Sequence, residues 1–169
     1  MDTPKHQYSG FRRAMVAVVL GSAAWSAQAA QDITGFWRAI DDRTGFARAI
    51  VRIDRLPDAT YSGTVAKILP RPGYVPKEVC VNCPAPYTSQ KILGMTNLQG
   101  LVQQADGDGY QYTRGKILDP LTGTLYNCKM KLSDDGRRLN LRGFKVASML
   151  GRSQGWVRET DAKLLATAH

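Results

Sequence analysis

Hydrophobic and polar residues alternate along most of the chain between residues 35 and 158, which is the pattern of strands with one buried face. In residues 46–53 (FARAIVRI) the odd positions are apolar, and we expect Arg48 and Arg52 to face water. Residues 125–132 (LYNCKMKL) repeat the pattern, with Asn127, Lys129 and Lys131 expected outside. The alternation predicts strands at 35–40, 46–53, 61–69, 92–102, 110–118, 125–132, 138–147 and 154–158.

Short turn sequences separate these strands, which favours antiparallel pairing of neighbours. They are DRTG at 42–45, PD at 57–58, DGDG at 106–109, DPLTG at 119–123 and DDG at 134–136. No segment before residue 161 has the sustained 3.6-residue period of crossover helices, so a parallel sheet is not expected. We predict an all-β fold, an eight-stranded antiparallel up-and-down barrel, because closure removes exposed strand edges. A two-sheet sandwich is the alternative.

One connection is much longer than the others. Residues 70–91 contain five prolines and two cysteines. A loop of this length is either a lid over a barrel mouth or an excursion held by a disulfide.

The chain has three cysteines, of which Cys80 and Cys83 form a CxxC motif. A redox pair needs a helix start in a βαβ setting, which the predicted fold lacks, and a structural zinc site needs four ligands. A structural disulfide is favoured, either between Cys80 and Cys83 or from one of them to Cys128. The pairing stays open, and a periplasmic thiol-disulfide protein acting through Cys80 and Cys83 is an alternative function.

The first 29 residues have the three parts of an export signal. Basic residues at 5, 12 and 13 precede the apolar run 14–24, and Ala27-Gln28-Ala29 is an A-x-A cleavage site. This run of eleven residues falls short of the ~20 that span a membrane, so the protein is not expected to cross one. We predict a signal peptide at 1–29, a barrel domain at 30–160 and a C-terminal tail at 161–169. After cleavage near Ala29 the protein is expected to be periplasmic or secreted.

The chain is basic, with 23 Lys and Arg against 14 Asp and Glu. These charges are spread without long blocks or interleaved aromatic residues, so they indicate a solvated surface, and no nucleic-acid partner is expected.

Few residue types for catalysis are available. After the predicted cleavage the histidine that remains is His169, at the end of the tail, which argues against Ser-His-Asp and Cys-His hydrolases. Nucleotide-binding and zincin motifs are missing, so we predict neither cofactor nor metal, and no catalytic residues. Carboxylates remain as candidates for acid-base chemistry, although turns explain them as well. They are Asp41, Asp42, Asp119, Asp134 and Asp135.

Gly35-Phe36-Trp37 resembles the GxW motif with which lipocalins and other calycins begin their barrels. The resemblance implies that Gly35 and Trp37 form the plug of the closed end, and that a basic residue near the last strand packs across the indole. Arg152 and Arg158 share one parity of that strand, and either could make this cation-π contact.

The wider pattern is similar to a bacterial exported family called domain of unknown function 2147. The likeness covers nearly the whole chain after the signal peptide and implies a lipocalin-like barrel in the periplasm or outside the cell. It supplies no catalytic residues. The matching segments are GFW at 35–37, DD at 41–42 with Gly45, Cys80 with Cys83, ILGM at 92–95, GKILDP at 115–120 with Gly123, YNC at 126–128, LRGF at 141–144, and LGRSQ at 150–154 with Trp156 and Arg158.

We therefore expect an exported, non-enzymatic barrel that binds a small apolar or lipid-like amphipathic ligand in its lumen. Small residues at Ala47 and Ala49 would leave space for it. A barrel filled by its own side chains and used as an interaction module is the alternative. The predicted ligand-contacting residues are Val51, Ile53, Tyr126, Met130 and Trp156.

Overall fold

The computed structural model describes residues 32–145 and 151–161, together with Lys163 and Ala166. These residues form eight antiparallel strands in which each strand pairs with the next and β8 pairs with β1, so the sheet closes into a barrel. The predicted all-β, up-and-down barrel is confirmed. The strands are β1 Gly35–Ile40, β2 Ala47–Arg55, β3 Thr60–Ile68, β4 Thr96–Gln103, β5 Tyr112–Asp119, β6 Thr124–Leu132, β7 Arg138–Phe144 and β8 Gly151–Arg158.

Two strands begin three or more residues away from the start that the alternation predicts. β4 starts at Thr96 rather than at residue 92, because Gly94 has a φ of 83° and interrupts extended backbone. β8 starts three residues earlier than predicted, at Gly151. The predicted signal peptide, residues 146–147 of the predicted seventh strand and most of the predicted tail lie outside the described residues.

The end of the barrel where β1 starts, here called the closed end, is filled by side chains. Tyr61 and Tyr112 meet edge to face there, with ring centroids 5.3 Å apart. Gly115 allows the close packing, because a Cβ at this position would lie 2.7 Å from the Leu101 side chain. The packed cluster consists of Ile33, Trp37, Val51, Ile53, Tyr61, Leu98, Leu101, Tyr112, Ile117, Cys128, Met130, Leu132, Leu139, Leu141 and Trp156.

The other end, here called the open end, carries the long connection between β3 and β4. This loop, residues 69–95, packs on the barrel through a second apolar cluster made of Val65, Cys80, Cys83, Tyr87, Ile92, Met95 and Leu118. A disulfide joins Cys80 to Cys83 within it. The loop is therefore both cross-linked by a disulfide and packed on the barrel.

Removing this disulfide is expected to loosen the loop rather than unfold the barrel. Its short ring is worth about 2 kcal/mol on the chain-entropy relation. The double variant Cys80→Ser with Cys83→Ser should lower the free energy of unfolding in urea by about that amount. Loss of all cooperative unfolding would contradict the expectation, because the closed-end cluster contains neither cysteine.

Cys128 is free and 1% exposed, and burial raises the pKa of its thiol to about 12. The thiol should therefore stay protonated and out of reach of reagents in the folded protein. We expect iodoacetamide at about pH 8 to leave Cys128 unmodified, and to alkylate it once urea is added. Mass mapping reads out the result, and rapid alkylation without urea would contradict it.

Candidate ligand-binding site

A cavity of about 160 Å³ lies at the open end, between the closed-end cluster and the loop 69–95. Val51, Ile117 and Trp156 belong both to its lining and to the closed-end cluster, so they form its floor. An engineered apolar cavity of ~150 Å³ is large enough for benzene. The cavity can therefore take an aromatic ring or a short alkyl segment, and a longer molecule has to extend through the mouth.

The structure separates the five residues predicted to contact a ligand. Val51, Tyr126 and Trp156 line the cavity. Ile53 and Met130 are fully buried in the closed-end cluster and do not line it. Successive inward positions on a strand lie about 6.6 Å apart. Moving by one such position along β2, from Val51 to Ile53, therefore leads from the cavity into the packed half of the barrel.

Arg48 lies inside, contrary to the prediction that it faces water. The pairing of β1 with β2 moves from Ala39–Ala49 to Ile40–Ala47, which leaves Arg48 as the extra residue of a β-bulge. A bulge redirects side chains, and Arg48 lines the mouth of the cavity with its side chain 28% exposed. Strict alternation cannot show this change.

Lys129 also departs from its prediction. It lies on the outer face of β6 but is 7% exposed, because the β4–β5 connection covers it. Its ammonium group donates to Asp106 at 3.0 Å and Asp108 at 2.6 Å, and lies 4.4 Å from the ring centre of Tyr110. The carboxylate of Asp108 is the main cause of the raised pKa of Lys129.

Asp41 holds the mouth together. It is 1% exposed and accepts hydrogen bonds from the backbone amides of Arg43 and Thr44, each at 2.9 Å. It also pairs with Arg48, and Arg71 Nη1 lies 3.9 Å away. A carboxylate with this many partners is a structural group rather than a free acid or base.

Three of the other predicted carboxylates, Asp42, Asp119 and Asp135, also have local structural roles. Asp42 accepts two hydrogen bonds of 2.7 Å from Arg152, and this contact lowers the pKa of Asp42. Asp119 caps the backbone amide of Leu121 at 3.0 Å. Asp134 and Asp135 lie in the β6–β7 turn at the closed end, where Asp135 accepts a hydrogen bond from the backbone amide of Arg137. The site therefore has no pair of free carboxylates among these five residues.

Positive charge exceeds negative charge at the mouth. The lining includes four basic side chains, Arg48, Arg71, Lys77 and Arg152, and one carboxylate, Asp119. Asp41 and Asp42, which are outside the lining, pair with Arg48 and Arg152. Burial lowers the pKa of Arg48; the charge of Asp119 opposes this effect, and Arg71 and Arg152 add to it. An acidic group entering the mouth would relieve the repulsion among these guanidinium groups.

Three buried polar atoms in the described residues have no hydrogen-bond partner, and all three belong to residues that line this cavity. They are Nε of Arg48, Oδ1 of Asn97 and Nε1 of Trp156. Leaving such a group unpaired costs about 1–3 kcal/mol. Nε of Arg48 and Nε1 of Trp156 are free to donate a hydrogen bond, and Oδ1 of Asn97 is free to accept one.

Sequence reasoning missed Asn97 for the same reason that it misplaced Arg48. The β3–β4 pairing moves from Gly63–Leu98 to Thr64–Thr96, so Asn97 is the extra residue of another bulge. Its Nδ2 donates to the carbonyl of Leu118 at 3.2 Å, while its Oδ1 remains unpaired.

The two arginines of β8 serve opposite ends of the barrel. Arg158 lies over the Trp37 ring at the closed end, 4.3 Å from the ring centre. A Cβ added at Gly35 would lie 3.4 Å from the same guanidinium group. Arg152 is six residues away, about 20 Å along an extended strand, and binds Asp42 at the open end. Of the two residues predicted to cover Trp37, Arg158 does so.

Residues 32–145 and 151–161 contain no group of three or more His, Cys, Asp or Glu side chains placed to hold a metal ion. A helix with the length and apolar character needed to cross a bilayer does not occur in that part of the chain.

A closed eight-stranded up-and-down barrel, packed at one end and open to a cavity at the other, is a lipocalin-like fold. A model of the bacterial family described as "uncharacterized protein conserved in bacteria (DUF2147)" matches residues 35–158, and the chain belongs to this family. The resemblance drawn from the sequence motifs is confirmed.

The solved structure of protein HP1028 from the human pathogen Helicobacter pylori, described as belonging to the lipocalin family, is similar in fold. The TM-score is 0.63 at 14% sequence identity, over 80% of this chain and 88% of that chain. At that identity the similarity concerns the fold alone. No curated protein matches the sequence.

Proposed function

We propose that this protein binds a small amphipathic anion in the open half of its barrel, without catalysing a reaction. An aromatic ring or short alkyl segment would occupy the cavity, and a carboxylate or similar acidic group would lie at the mouth. The observation that carries the proposal is that the unpaired polar atoms of Arg48, Asn97 and Trp156 all belong to the lining of one cavity.

The two parts of the ligand follow from the two parts of the site. The floor of Val51, Ile117 and Trp156 favours apolar surface, at roughly 25 cal/mol per Å² removed from water. The mouth has an excess of guanidinium groups, which suit the planar geometry of a carboxylate. An uncharged hydrocarbon would leave Nε of Arg48 at the mouth without a partner, whereas a carboxylate accepts its hydrogen bond, so an amphipathic acid fits better.

We further propose that the protein is exported, with cleavage near Ala29, and works in the periplasm or outside the cell. The three-part layout of residues 1–29 supports this proposal. A disulfide between Cys80 and Cys83 suits an oxidising compartment.

Burial of the disulfide favours a structural over a redox role. Cys80 is fully buried and Cys83 is 6% exposed. Thiol-disulfide exchange requires a thiolate to reach one of the two sulfur atoms, and the folded loop prevents that approach.

Calorimetric titration with straight-chain acids and the matching alcohols tests the proposal. Octanoate should bind at one site with saturation, and it should bind more tightly than octanol because only the acid uses the arginines. Trp156 lines the cavity and offers a fluorescence signal for the same titration. Absence of saturable binding for hexanoate, octanoate, decanoate and benzoate would overturn the proposal.

Arg48 should decide the preference for the acid. The variant Arg48→Gln removes a charged donor at the mouth, and we expect octanoate to bind at least about tenfold more weakly while octanol affinity is unchanged. Arg52→Gln is the matched control, because Arg52 lies on the outer face of the same strand with its side chain 45% exposed. Equal losses in the two variants would show that the effect is one of overall charge.

A further inference from the structure

The open end exposes much more apolar surface than the rest of the barrel. The described residues hold eight exposed large hydrophobic side chains, and six of them lie in the open-end connections or at the start of β6. Val75 is 88% exposed and Val81 is 63% exposed. Clustered exposure of this kind marks an interaction surface. The six residues, here called the apolar rim, are Phe46, Val75, Val79, Val81, Leu93 and Leu125.

Contacts between the loop and the turns arrange these residues around the mouth. Arg71 lies 3.9 Å from Asp41 and so brings the segment before Val75 to the turn that ends at Phe46. Lys77 Nζ donates to the carbonyl of Leu121 at 3.2 Å, which ties the loop to the β5–β6 turn.

The second half of the loop is held at the same turn. The Asn82 carbonyl packs so closely on Gly123 that a Cβ there would lie 2.0 Å from its oxygen. Val81 is thereby placed beside the start of β6, where Leu125 lies. Val79 pairs with Lys91, which keeps Leu93 near the same edge.

Charge is divided between the two ends of the barrel. The open-end connections 41–46, 69–95 and 120–123, together with Lys145, contain five basic and three acidic residues, whereas the closed-end connections 56–59, 104–111 and 133–137 contain one basic and five acidic residues. Two of the three open-end acids, Asp41 and Asp42, are paired with arginines. The open end therefore carries exposed basic groups beside the apolar rim, among them Arg43, Lys91 and Lys145.

We propose that the open end docks on the surface of a bilayer that contains anionic lipid. Apolar side chains on the rim would enter the headgroup region, and the basic residues beside them would lie at the lipid phosphates. A second copy of the chain is a poorer occupant, because two rims face to face would bring like charges together. Docked in this way, the mouth of the cavity faces the bilayer.

The proposal goes beyond ligand binding and does not depend on it, since the rim residues named here are separate from the floor of the cavity. Flotation with vesicles of phosphatidylcholine, alone or with about 30% phosphatidylglycerol, tests it. We expect the partition coefficient to be at least about tenfold higher on the anionic vesicles, and to fall when salt is raised from about 0.1 M to about 0.5 M.

Two variants test the two parts of the surface. Val75→Glu with Val81→Glu should reduce vesicle binding at least about tenfold, as should Arg43→Glu with Lys91→Glu. The matched controls are Leu56→Glu with Val157→Glu, which are exposed away from the open end, and Lys131→Glu on the outer face of β6. The controls should bind vesicles like the unchanged protein, and circular dichroism verifies that every variant is folded.

Three outcomes would overturn the docking proposal. The protein does not bind either kind of vesicle, its binding does not depend on the phosphatidylglycerol content, or the rim and control variants lose vesicle binding equally. A dimer in sedimentation that the Val75→Glu, Val81→Glu variant abolishes, without vesicle binding, would instead assign the rim to a second copy. Octanoate titration of the same variant separates the two proposals, since binding in the cavity should persist whether or not the rim docks.

Discussion

Arg158→Ala is expected to lower the free energy of unfolding by about 4 kcal/mol, through lost hydrogen bonds to a charged donor and a lost cation-π contact. The guanidinium donates to the carbonyls of Asp32, Thr34 and Gly136 at 2.7–2.8 Å and covers the Trp37 ring. Removing it leaves three carbonyls without their donor and uncovers the indole at the closed end. For a domain of this size the melting temperature should fall by roughly 15 °C.

Thermal and urea unfolding measure the effect against two controls. Arg158→Lys keeps the charge but loses the planar guanidinium group, so we expect its free energy of unfolding to fall by an intermediate amount. Arg138→Ala removes an exposed arginine from the adjacent strand and should change stability by less than about 0.5 kcal/mol. If Arg158→Ala costs no more than Arg138→Ala, the closed end is not held by this residue.

Ala49→Phe is expected to abolish octanoate binding, with at least about a hundredfold loss of affinity, because a benzene-sized group fills a cavity of this size. Ala49 lines the cavity of about 160 Å³, and its side chain packs against the loop cluster rather than the closed-end cluster. The closed-end packing should therefore tolerate the change. Calorimetric titration reads out affinity, and thermal unfolding should show a cooperative transition.

Arg52→Phe is the matched control, since it places the same ring on the outer face of the same strand. It should bind octanoate as the unchanged protein does. Undiminished binding in Ala49→Phe would place the ligand elsewhere on the protein and contradict the proposed site. Loss of binding in both variants would point to a general effect on the fold.

Both predictions follow from the division of the barrel into two halves. The closed-end cluster contains the large buried aromatic residues Trp37, Tyr61 and Tyr112, which dominate the apolar burial. The open half contains the small residues Ala39 and Ala49, the unpaired polar atoms and the arginines. Stability and the proposed binding are therefore expected to respond to different substitutions.

Much of the fold could be predicted from local patterns. The alternation in residues 46–53 and 125–132 correctly indicates half-buried strands. The resemblance of Gly35-Phe36-Trp37 to the calycin motif agrees with the position of Trp37, which is buried in the closed-end cluster under Arg158. These features are local, because side-chain parity and turn chemistry depend on a few neighbouring residues.

The candidate site was only partly predictable. Val51, Tyr126 and Trp156 were expected to contact a ligand and do line the cavity, whereas Arg48 and Asn97 were not expected there. Both missed residues sit at β-bulges, and a bulge is visible only when two strands are paired.

The sequence by itself determined most of the segments that become strands, which side chains turn inward where the strands are regular, and that short connections lead to a closed antiparallel barrel. Only the tertiary structure decided which cysteines pair, which arginine covers Trp37, and where the packed core ends and the cavity begins. The reason is that alternation records the face of a side chain but not its depth along the barrel. Depth depends on strand register, which is set by contacts between residues far apart in the chain.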